Sequence, residues 1–293
     1  MANSHILSQE FEYFEPRTVE EALSLLAQYN GKAKVIAGGT DLLVWMKMGR
    51  AHPDYLISIS RIPALRYLIT DKGLRIGPLT PFREVEKHGL IQRKYTALYE
   101  AAKAVTSVQI KNMGTIGGNL CNASPAADSA PPLVAFGGKV RLVEDQKERV
   151  ISLEEFFVGN GVTCLSPKEL LVEVVLPEPS GPTGSAFIKV ARVAADLAKI
   201  SIAARVARNK TLCQDCGIAM GGVAKIPMRL RKTEEVLRGM RFNSTLLEKA
   251  GQVAAEEIQP RSRRSTAFYK KEVTKVLIRD ALTLAWERAA KDQ

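Results

Sequence analysis

Two pairs of adjacent glycines are the positions in this sequence whose residue types and spacing suggest a binding chemistry: Gly38-Gly39 and Gly117-Gly118. Paired glycines allow a positive φ and let a ligand approach the backbone without meeting a Cβ. Successive backbone N–H groups in such a turn form a concave site for an anion such as a diphosphate. Thr40, Thr115 and Asn119 add side chains that can form hydrogen bonds beside the glycines. We therefore predict two glycine loops that bind a phosphate-containing ligand, although either pair alone is also typical of a simple turn.

The common nucleotide-binding signatures do not occur in the sequence. There is no G-x-x-x-x-G-K-[ST] segment, which excludes a P-loop. There is also no G-x-G-x-x-G segment after a predicted strand, which argues against a Rossmann site. A dinucleotide bound by this chain must therefore be held in another way.

The cysteines and histidines are not arranged as a catalytic or metal-binding set. The closely spaced pair is Cys213 and Cys216, while Cys121 and Cys164 are isolated. Residues three apart in a strand point to opposite faces, so we do not expect Cys213 and Cys216 to converge, and we predict buried apolar thiols. The three histidines have no nucleophile pattern beside them and lie outside the glycine loops: His5, His52 and His88. We predict no metal site and no catalytic side chain.

Short helices and strands surround the two glycine loops. Apolar residues at helical spacing predict a helix over 19–29, which Asn30-Gly31 ends. Thr80 and Pro81 predict the N-cap and the first turn of a helix that reaches about residue 88. A capping box at 152–155 opens another helix, and a further one is predicted over 95–105. The predicted strands are 34–37, 55–60, 66–70, 74–77, 139–144 and 170–176, with 71–73 as a hairpin turn.

A stretch rich in proline and glycine, Pro177 to Gly184, predicts the boundary between two domains, 1–177 and 178–293. Beyond it, residues 186–190, 200–207 and 213–223 predict a three-stranded antiparallel sheet. Helices are predicted near 233–237, 245–258 and 265–290. A sheet followed by helices is typical of an α+β fold.

The composition indicates an ordinary globular protein, because hydrophobic residues make up 46% and charged residues 25% of the 293 residues. The net charge is +11, but the basic residues follow no nucleic-acid-binding motif, so we predict no nucleic acid as a partner. One dense basic run predicts a solvated surface, or else a docking patch for a partner: Arg261, Arg263, Arg264, Lys270 and Lys271. The sequence shows neither a secretory signal nor an apolar stretch of about 20 residues, so we expect a cytoplasmic protein without a membrane span.

The complete strings around the glycines resemble the FAD-binding loops of the medium subunits of xanthine dehydrogenase and carbon monoxide dehydrogenase. The similar strings are 37–43 (AGGTDLL), 115–120 (TIGGNL) and 123–128 (ASPAAD). The resemblance continues in order along the chain: Lys189–Arg192 with Asp196–Ala198, Gly221–Ala224 with Pro227 and Arg229, Glu235 with Leu237 and Gly239, and Ser265 with Tyr269. It therefore covers nearly the whole chain. The chain departs from the family at 261–264, where relatives often carry an acidic residue and an arginine.

The resemblance implies an α+β protein with an FAD-binding domain of the PCMH type, made of two α+β subdomains that divide near residue 60, and a smaller C-terminal domain. The FAD contacts that it implies are Val35, Ile36, Ala37, Gly38, Gly39, Thr40, Asp41, Thr115, Ile116, Gly117, Gly118, Asn119, Asp128, Leu171 and Lys189. Asp128 would accept hydrogen bonds from the sugar-like chain of the flavin, although an aspartate here is also typical of a helix N-cap. No histidine lies in the loops, so the FAD is expected to be non-covalent.

The resemblance also implies a role and partners. Electrons leave a substrate at a molybdenum cofactor in a large subunit and pass two [2Fe–2S] clusters in a small subunit. They then reach the FAD of this chain and go on to NAD⁺ or another acceptor. The chain would be one subunit of a heterotrimer, dimerised or not, and would hydroxylate nothing alone. Two alternatives stay open: a stand-alone NAD(P)H-dependent flavin reductase, and a non-catalytic scaffold whose glycine loops are only turns.

Overall fold

The computed structural model describes residue 7 and residues 9–290, so His5 lies outside the described residues. The first unit is a parallel sheet of β1 (Glu12–Phe14), β2 (Ala33–Ile36) and β3 (Tyr55–Ser58), in the order β1-β3-β2. Helix α1 (Val19–Tyr29) buries Leu23 and Leu26 in the same core as Ile57 of β3. Helix α2 (Leu42–Lys47) follows β2 across the first glycine pair. The predicted helix over 19–29 is confirmed.

The second unit is a five-stranded antiparallel sheet covered by short helices. Its strands, in the order β4-β5-β10-β6-β7, are β4 (Leu68–Ile69), β5 (Leu74–Ile76), β6 (Lys139–Glu144), β7 (Lys147–Ser152) and β10 (Leu170–Leu176). A small separate sheet pairs β8 (Phe157–Gly159) with β9 (Val162–Thr163). The helices are α3 (Phe82–Lys87), α4 (Gly89–Lys94), α5 (Thr96–Ala104), α6 (Val108–Met113), α7 (Ile116–Cys121), α8 (Ala130–Ala135) and α9 (Leu153–Phe156). The predicted strands 139–144 and 170–176 are confirmed with these bounds.

Local sequence explains where several of these elements begin. The capping box opens α9 as predicted: Ser152 Oγ accepts from the Glu155 N–H at 3.2 Å, and Glu155 Oε2 accepts from the Ser152 N–H at 3.0 Å. The predicted cap at Thr80 is wrong, because Pro81 occupies the N-cap position of α3. The Thr80 hydroxyl instead donates to the Tyr67 carbonyl oxygen at 2.9 Å, which ties the start of α3 to the segment before β4.

The third unit is an antiparallel sheet of four strands, β11 (Thr183–Val190), β12 (Ile200–Asn209), β13 (Leu212–Gly221) and β14 (Met228–Arg229), in that order. The prediction of three strands missed β14, because two residues are too few to show an alternating pattern. Helices α10 (Arg231–Leu237), α11 (Ser244–Glu257) and α12 (Ala267–Ala289) follow. In the described part of the chain no helix, α12 included, has the length and apolar character that crossing a membrane requires.

The third unit shares a core with the second unit. One face of its sheet carries Ile202, Ile218 and other apolar residues that pack under α10–α12. Phe187 and Ala203 belong instead to the core of the second unit, together with Leu133 of α8. Both faces of the third sheet are therefore buried, one of them against the second unit.

A β-bulge in β13 changes the expected position of two cysteines. The pairing register with β12 shifts between Asp215 and Cys213, which leaves Gln214 without a partner residue. Cys213 and Cys216 are both fully buried, and their thiols share a hydrogen bond. That hydrogen bond and burial raise the pKa of Cys216. The predicted burial is confirmed, but the expectation that the two thiols would not converge is wrong, because the extra residue restores a common face.

The dense basic run is only partly a solvated surface. Arg261, Arg263 and Arg264 are exposed. Lys270 is buried, and its Nζ donates to the carbonyl oxygens of Gly222 at 2.7 Å and Arg261 at 3.2 Å. Burial, with Arg264 and Arg263 nearby, lowers the pKa of Lys270. A solvated side chain is therefore the wrong expectation for Lys270, which holds the start of α12 against the loop after β13.

Candidate FAD site

A cavity of about 1150 Å³ is lined by residues of all three units. It is somewhat larger than the roughly 300–1,000 Å³ of sites that enclose drug-sized ligands. The expected contact residues that line it are Val35, Ile36, Ala37, Gly38, Gly39, Thr40, Asp41, Thr115, Gly117, Gly118, Asn119, Asp128, Leu171 and Lys189. Ile116 is the exception, because its side chain is fully buried in the core and its N–H donates to the Thr80 carbonyl oxygen at 2.9 Å. The fold thus brings two distant glycine segments and three single residues to one cavity.

The first glycine pair forms a tight turn between β2 and α2. Gly39 has a φ of 69°, a conformation that favours glycine. A Cβ at Gly38 would overlap the carbonyl oxygen of Met113 at the end of α6. The turn therefore needs its first glycine to pack against α6 and its second for backbone conformation. Asp41 stands at the N-cap of α2, and partial burial raises the pKa of its carboxyl group.

The second glycine pair lies in helix α7 and not in a loop. Thr115 caps this helix, since its Oγ1 accepts from the Gly118 N–H at 3.0 Å. The Gly117 N–H donates to the Pro78 carbonyl oxygen at 2.9 Å. Neither glycine has a positive φ, and both N–H groups already have partners within the chain. The expectation of a positive-φ turn with free N–H groups is therefore wrong for this pair.

Space is the reason for glycine at position 118. Gly118 is exposed on the cavity wall, and a Cβ there would lie 2.9 Å from Thr115 Oγ1 and 3.9 Å from the Cβ of Ala37. A side chain would therefore project between the two glycine segments. Without one, the surface of α7 is open for close contact with a ligand.

Asp128 and Lys189 form a buried ion pair in the cavity. Lys189 Nζ lies 2.8 Å from Asp128 Oδ2, and both side chains are nearly buried. Burial raises the pKa of Asp128, while the charge and the hydrogen bond of Lys189 oppose that rise. Asp128 Oδ1 is buried and accepts no hydrogen bond from the described residues. Buried acceptors are normally satisfied, so this oxygen fits a ligand that carries hydroxyl donors, as FAD does.

The alternative interpretation of Asp128 as a helix cap is wrong. Helix α8 begins at Ala130, and Ser129 is its N-cap residue. Ser129 donates its hydroxyl to Asn119 Oδ1 at 2.6 Å, which joins α8 to α7. Asn119 therefore braces the cavity wall through its carbonyl oxygen. Leu171, in β10, is 3% exposed and adds an apolar part of that wall.

Sequence reasoning missed several residues that line the cavity. Cys121 lies on the cavity wall, where enclosure by the protein raises the pKa of its thiol to about 12. It follows Gly117 by four residues, so a helix over 116–121 would have placed both on one face. Trp45 and Ile110 also line the cavity, from α2 and α6. No motif marks these two positions, and only the packing of the short helices brings them there.

Comparisons with known proteins agree with this site. Residues 9–179 match the family model described as the FAD binding domain in molybdopterin dehydrogenase. Residues 185–285 match the model described as the CO dehydrogenase flavoprotein C-terminal domain. The carbon monoxide dehydrogenase medium chain of Hydrogenophaga pseudoflava is 32% identical over 283 residues, which are 96% of this chain and 98% of that protein. The glyceraldehyde dehydrogenase medium chain of Sulfolobus acidocaldarius is 30% identical over 270 residues, which are 92% of this chain and 95% of that one.

A solved structure gives the same result for the fold. It is a carbon monoxide dehydrogenase from Hydrogenophaga pseudoflava that lacks the Mo-pyranopterin moiety of its molybdenum cofactor. The TM-score is 0.93 at 31% identity, over 97% of this chain and 99% of the compared chain. The α+β fold class and FAD as the cofactor are thereby confirmed. This chain belongs to the family of FAD-binding flavoprotein subunits of molybdopterin dehydrogenases, together with the medium subunit of carbon monoxide dehydrogenase.

Proposed function

We propose that this chain is the flavoprotein subunit of a heterotrimeric molybdenum hydroxylase and that it holds one FAD non-covalently in the cavity. The observation that carries the proposal is the unpartnered, buried Oδ1 of Asp128 in a cavity that both glycine segments line. A buried carboxylate oxygen in this setting calls for a hydrogen-bond donor from a ligand. The hydroxyl groups of the ribityl chain are donors of the required kind.

Each part of the cavity wall has a proposed task. Residues 35–41 hold the diphosphate and the ribityl chain, and residues 115–119 face them from α7. Asp128 accepts from the ribityl hydroxyls, while Leu171 and Lys189 bound the flavin end. Ile116 supports this wall from the core and makes no side-chain contact with FAD, since its side chain is fully buried.

The residues of this chain bind and orient the cofactor, and they transfer no proton to a substrate. FAD, when bound, supplies the redox chemistry: it accepts electrons singly and releases them in pairs. Lys189 offsets part of the cost of burying Asp128, so the carboxylate can serve as a hydrogen-bond acceptor. The apolar wall that includes Leu171 excludes water from the bound ring system.

The proposed partners supply the rest of the reaction. A large subunit carries the molybdenum cofactor and selects the substrate, and a small subunit with two [2Fe–2S] clusters passes electrons to this chain. NAD⁺ or another acceptor takes them from the flavin. The named relatives are medium chains of dehydrogenases for different compounds, carbon monoxide and glyceraldehyde, which supports a substrate choice made outside this chain. We place the complex in the cytoplasm, dimerised or not, and the domain boundary between residues 177 and 178.

An absorbance spectrum of the purified chain tests the proposal. We expect flavin bands with one FAD per chain, and acid precipitation should release the colour into the supernatant. Expressed alone, the chain should bind FAD but show no hydroxylation of any substrate. From its native source it should co-purify with a molybdenum subunit and a [2Fe–2S] subunit.

Other outcomes would support the two alternatives. A chain that shows no flavin bands even after addition of FAD would be a scaffold. A chain that oxidises NADH or NADPH with rapid turnover by itself would be a stand-alone reductase. Flavin that stays in the acid pellet would contradict the non-covalent site.

A further inference from the structure

Strand β11 is fixed to the second unit at three alternate residues. Ser185 Oγ accepts from the Ala97 N–H of α5 at 3.0 Å. The Phe187 N–H donates to Glu100 Oε2, also in α5, at 2.8 Å. Lys189 Nζ donates to Asp128 Oδ2 in the cavity at 2.8 Å. The first two contacts therefore lie on the strand that delivers Lys189 to the site.

Glu100 is held from the other side by Arg288, in the last turn of α12. Arg288 Nη2 lies 2.6 Å from Glu100 Oε1, and Arg288 Nη1 lies 3.2 Å from Glu100 Oε2. The same Nη1 donates to the Ser185 carbonyl oxygen at 2.6 Å. A two-point arginine–carboxylate contact fixes geometry as well as charge. We call Glu100 and Arg288, with their contacts to Ser185 and Phe187, the β11 clamp.

The clamp acts at an exposed edge of the third sheet. β11 is the outermost strand of its sheet, so the outward N–H of Phe187 has no strand beside it. Glu100 supplies the acceptor for this N–H, and Arg288 fixes the carboxylate that does so. Phe187 and Lys189 are two residues apart, and a strand advances about 3.3 Å per residue in a nearly rigid way. A shift of the strand at Phe187 therefore moves Lys189 relative to Asp128.

We propose that Glu100 and Arg288 are positioning residues for the FAD site: the clamp sets where Lys189 stands opposite Asp128, and thereby tunes FAD affinity and the reduction potential of the bound flavin. This inference rests on the proposed function, namely that FAD occupies the cavity. It assigns the last turn of α12 and helix α5 to cofactor binding, although neither Glu100 nor Arg288 lines the cavity.

A double-mutant cycle on the full chain tests the proposal. The variants are Glu100→Gln, Lys189→Met and the double variant, with the dissociation constant of FAD and the flavin midpoint potential as readouts. We expect Glu100→Gln to weaken FAD binding about tenfold, which equals ~1.4 kcal/mol, and to shift the potential. In the Lys189→Met background the same change should have no further effect on either readout, because Glu100 acts through Lys189.

Glu154→Gln is the matched control. Glu154, in α9, also bridges the second and third units, with Oε1 lying 2.8 Å from Arg231 Nη2 and 3.6 Å from Arg229 Nη1. It makes no contact with β11. We expect a loss of thermal stability similar to that of Glu100→Gln, with FAD affinity and potential unchanged. Arg288→Lys, which keeps the charge opposite Glu100 but cannot reach Ser185 as well, should weaken FAD less than Glu100→Gln does.

Three results would overturn the clamp. One is a Glu100→Gln effect of the same size with and without Lys189. Another is an equal effect of Glu154→Gln on FAD, which would mean that any bridge between the units matters. The third is unchanged FAD binding in both Glu100→Gln and Arg288→Lys, and the second of these variants covers the case in which the first fails to fold. A wild-type chain that binds no FAD would instead refute the proposed function, which keeps the two failures distinct.

Discussion

Lys111 on α6 and Glu86 on α3 form a nearly buried ion pair, with Lys111 Nζ 2.7 Å from Glu86 Oε1. Helix α6 ends at Met113, whose carbonyl oxygen packs against Gly38 in the first glycine segment. The ion pair lies outside the cavity, yet it holds the helix against which the FAD-binding turn is packed. Its loss should therefore affect both stability and cofactor binding.

Lys111→Met tests this relationship. The variant leaves the Glu86 carboxylate near-buried with Arg83 as its remaining partner, so we expect a loss of about 3 kcal/mol in the free energy of unfolding. FAD affinity should fall as well, since α6 supports Gly38. Urea denaturation and an FAD titration measure the two effects. Lys275→Met, which removes the exposed pair with Glu272 on α12, should change neither by a measurable amount.

The same pair predicts a pH dependence of stability. Burial acts to raise the pKa of Glu86, but hydrogen bonds and charge from Lys111 and Arg83 outweigh it and lower the pKa below its ordinary value of 4.5. A carboxyl group whose pKa is lower in the folded state stabilises the fold above its unfolded pKa, and this stability is lost as the pH falls through the folded pKa. The wild-type advantage in unfolding free energy over Glu86→Gln should thus be full above pH 4.5 and shrink below it. An advantage that stays constant down to strongly acidic pH would contradict the assignment.

Gly118→Val should abolish FAD binding while the fold is largely kept. The Cβ would stand between the two glycine segments, and the branched side chain would occupy space on the cavity wall. The flavin absorbance of the purified variant, beside its circular dichroism, checks both parts. Gly89→Val is the control, because Gly89 is exposed at the start of α4 and the only atom near its Cβ position is Arg93 Nη1 at 3.6 Å. Normal FAD content in Gly118→Val would remove α7 from the site.

Asp128→Asn should weaken FAD at least about tenfold, or ~1.4 kcal/mol. The amide has nearly the same shape, but it leaves the Lys189 ammonium buried without its counter-charge and offers one acceptor in place of two. Isothermal titration with FAD measures the change. Asp215→Asn provides the comparison, since Asp215 is also paired with arginine, Arg205 and Arg238, but lies away from the cavity. Equal affinities for wild type and Asp128→Asn would exclude Asp128 as a ligand-facing acceptor.

Long elements with a regular pattern were predictable from the sequence. The helix over 19–29 and the strands over 139–144 and 170–176 have the expected bounds, because periodicity and turn residues agree there. Helix α7 was not predictable, since two glycines in six residues are poor helix formers. It is stabilised by the Thr115 cap and by burial of Ile116 and Leu120, which are four residues apart. Tertiary packing thus overrides local preference in the segment that faces the cofactor.

The membership of the site was more predictable than its geometry. Asp128 and Lys189 were both expected at the FAD site, but their ion pair joins positions 61 residues apart and depends on how the third sheet docks. Likewise, the shared hydrogen bond of Cys213 and Cys216 depends on one unpaired residue in β13, which no period-two pattern reveals. Register and docking are properties of the whole chain, and short motifs do not contain them.

The shared core has a consequence for how such a subunit could change during evolution. Phe187 and Ala203 of the third unit fill the core of the second, and Lys189 of the same sheet completes the wall of the cofactor cavity. A gene segment that encodes only residues 1–177 would therefore yield an incomplete binding site and an uncovered apolar face. Recombination that exchanges cofactor modules between complexes must transfer both parts together. The unit of inheritance for FAD binding is thus larger than the unit that carries the glycine motifs.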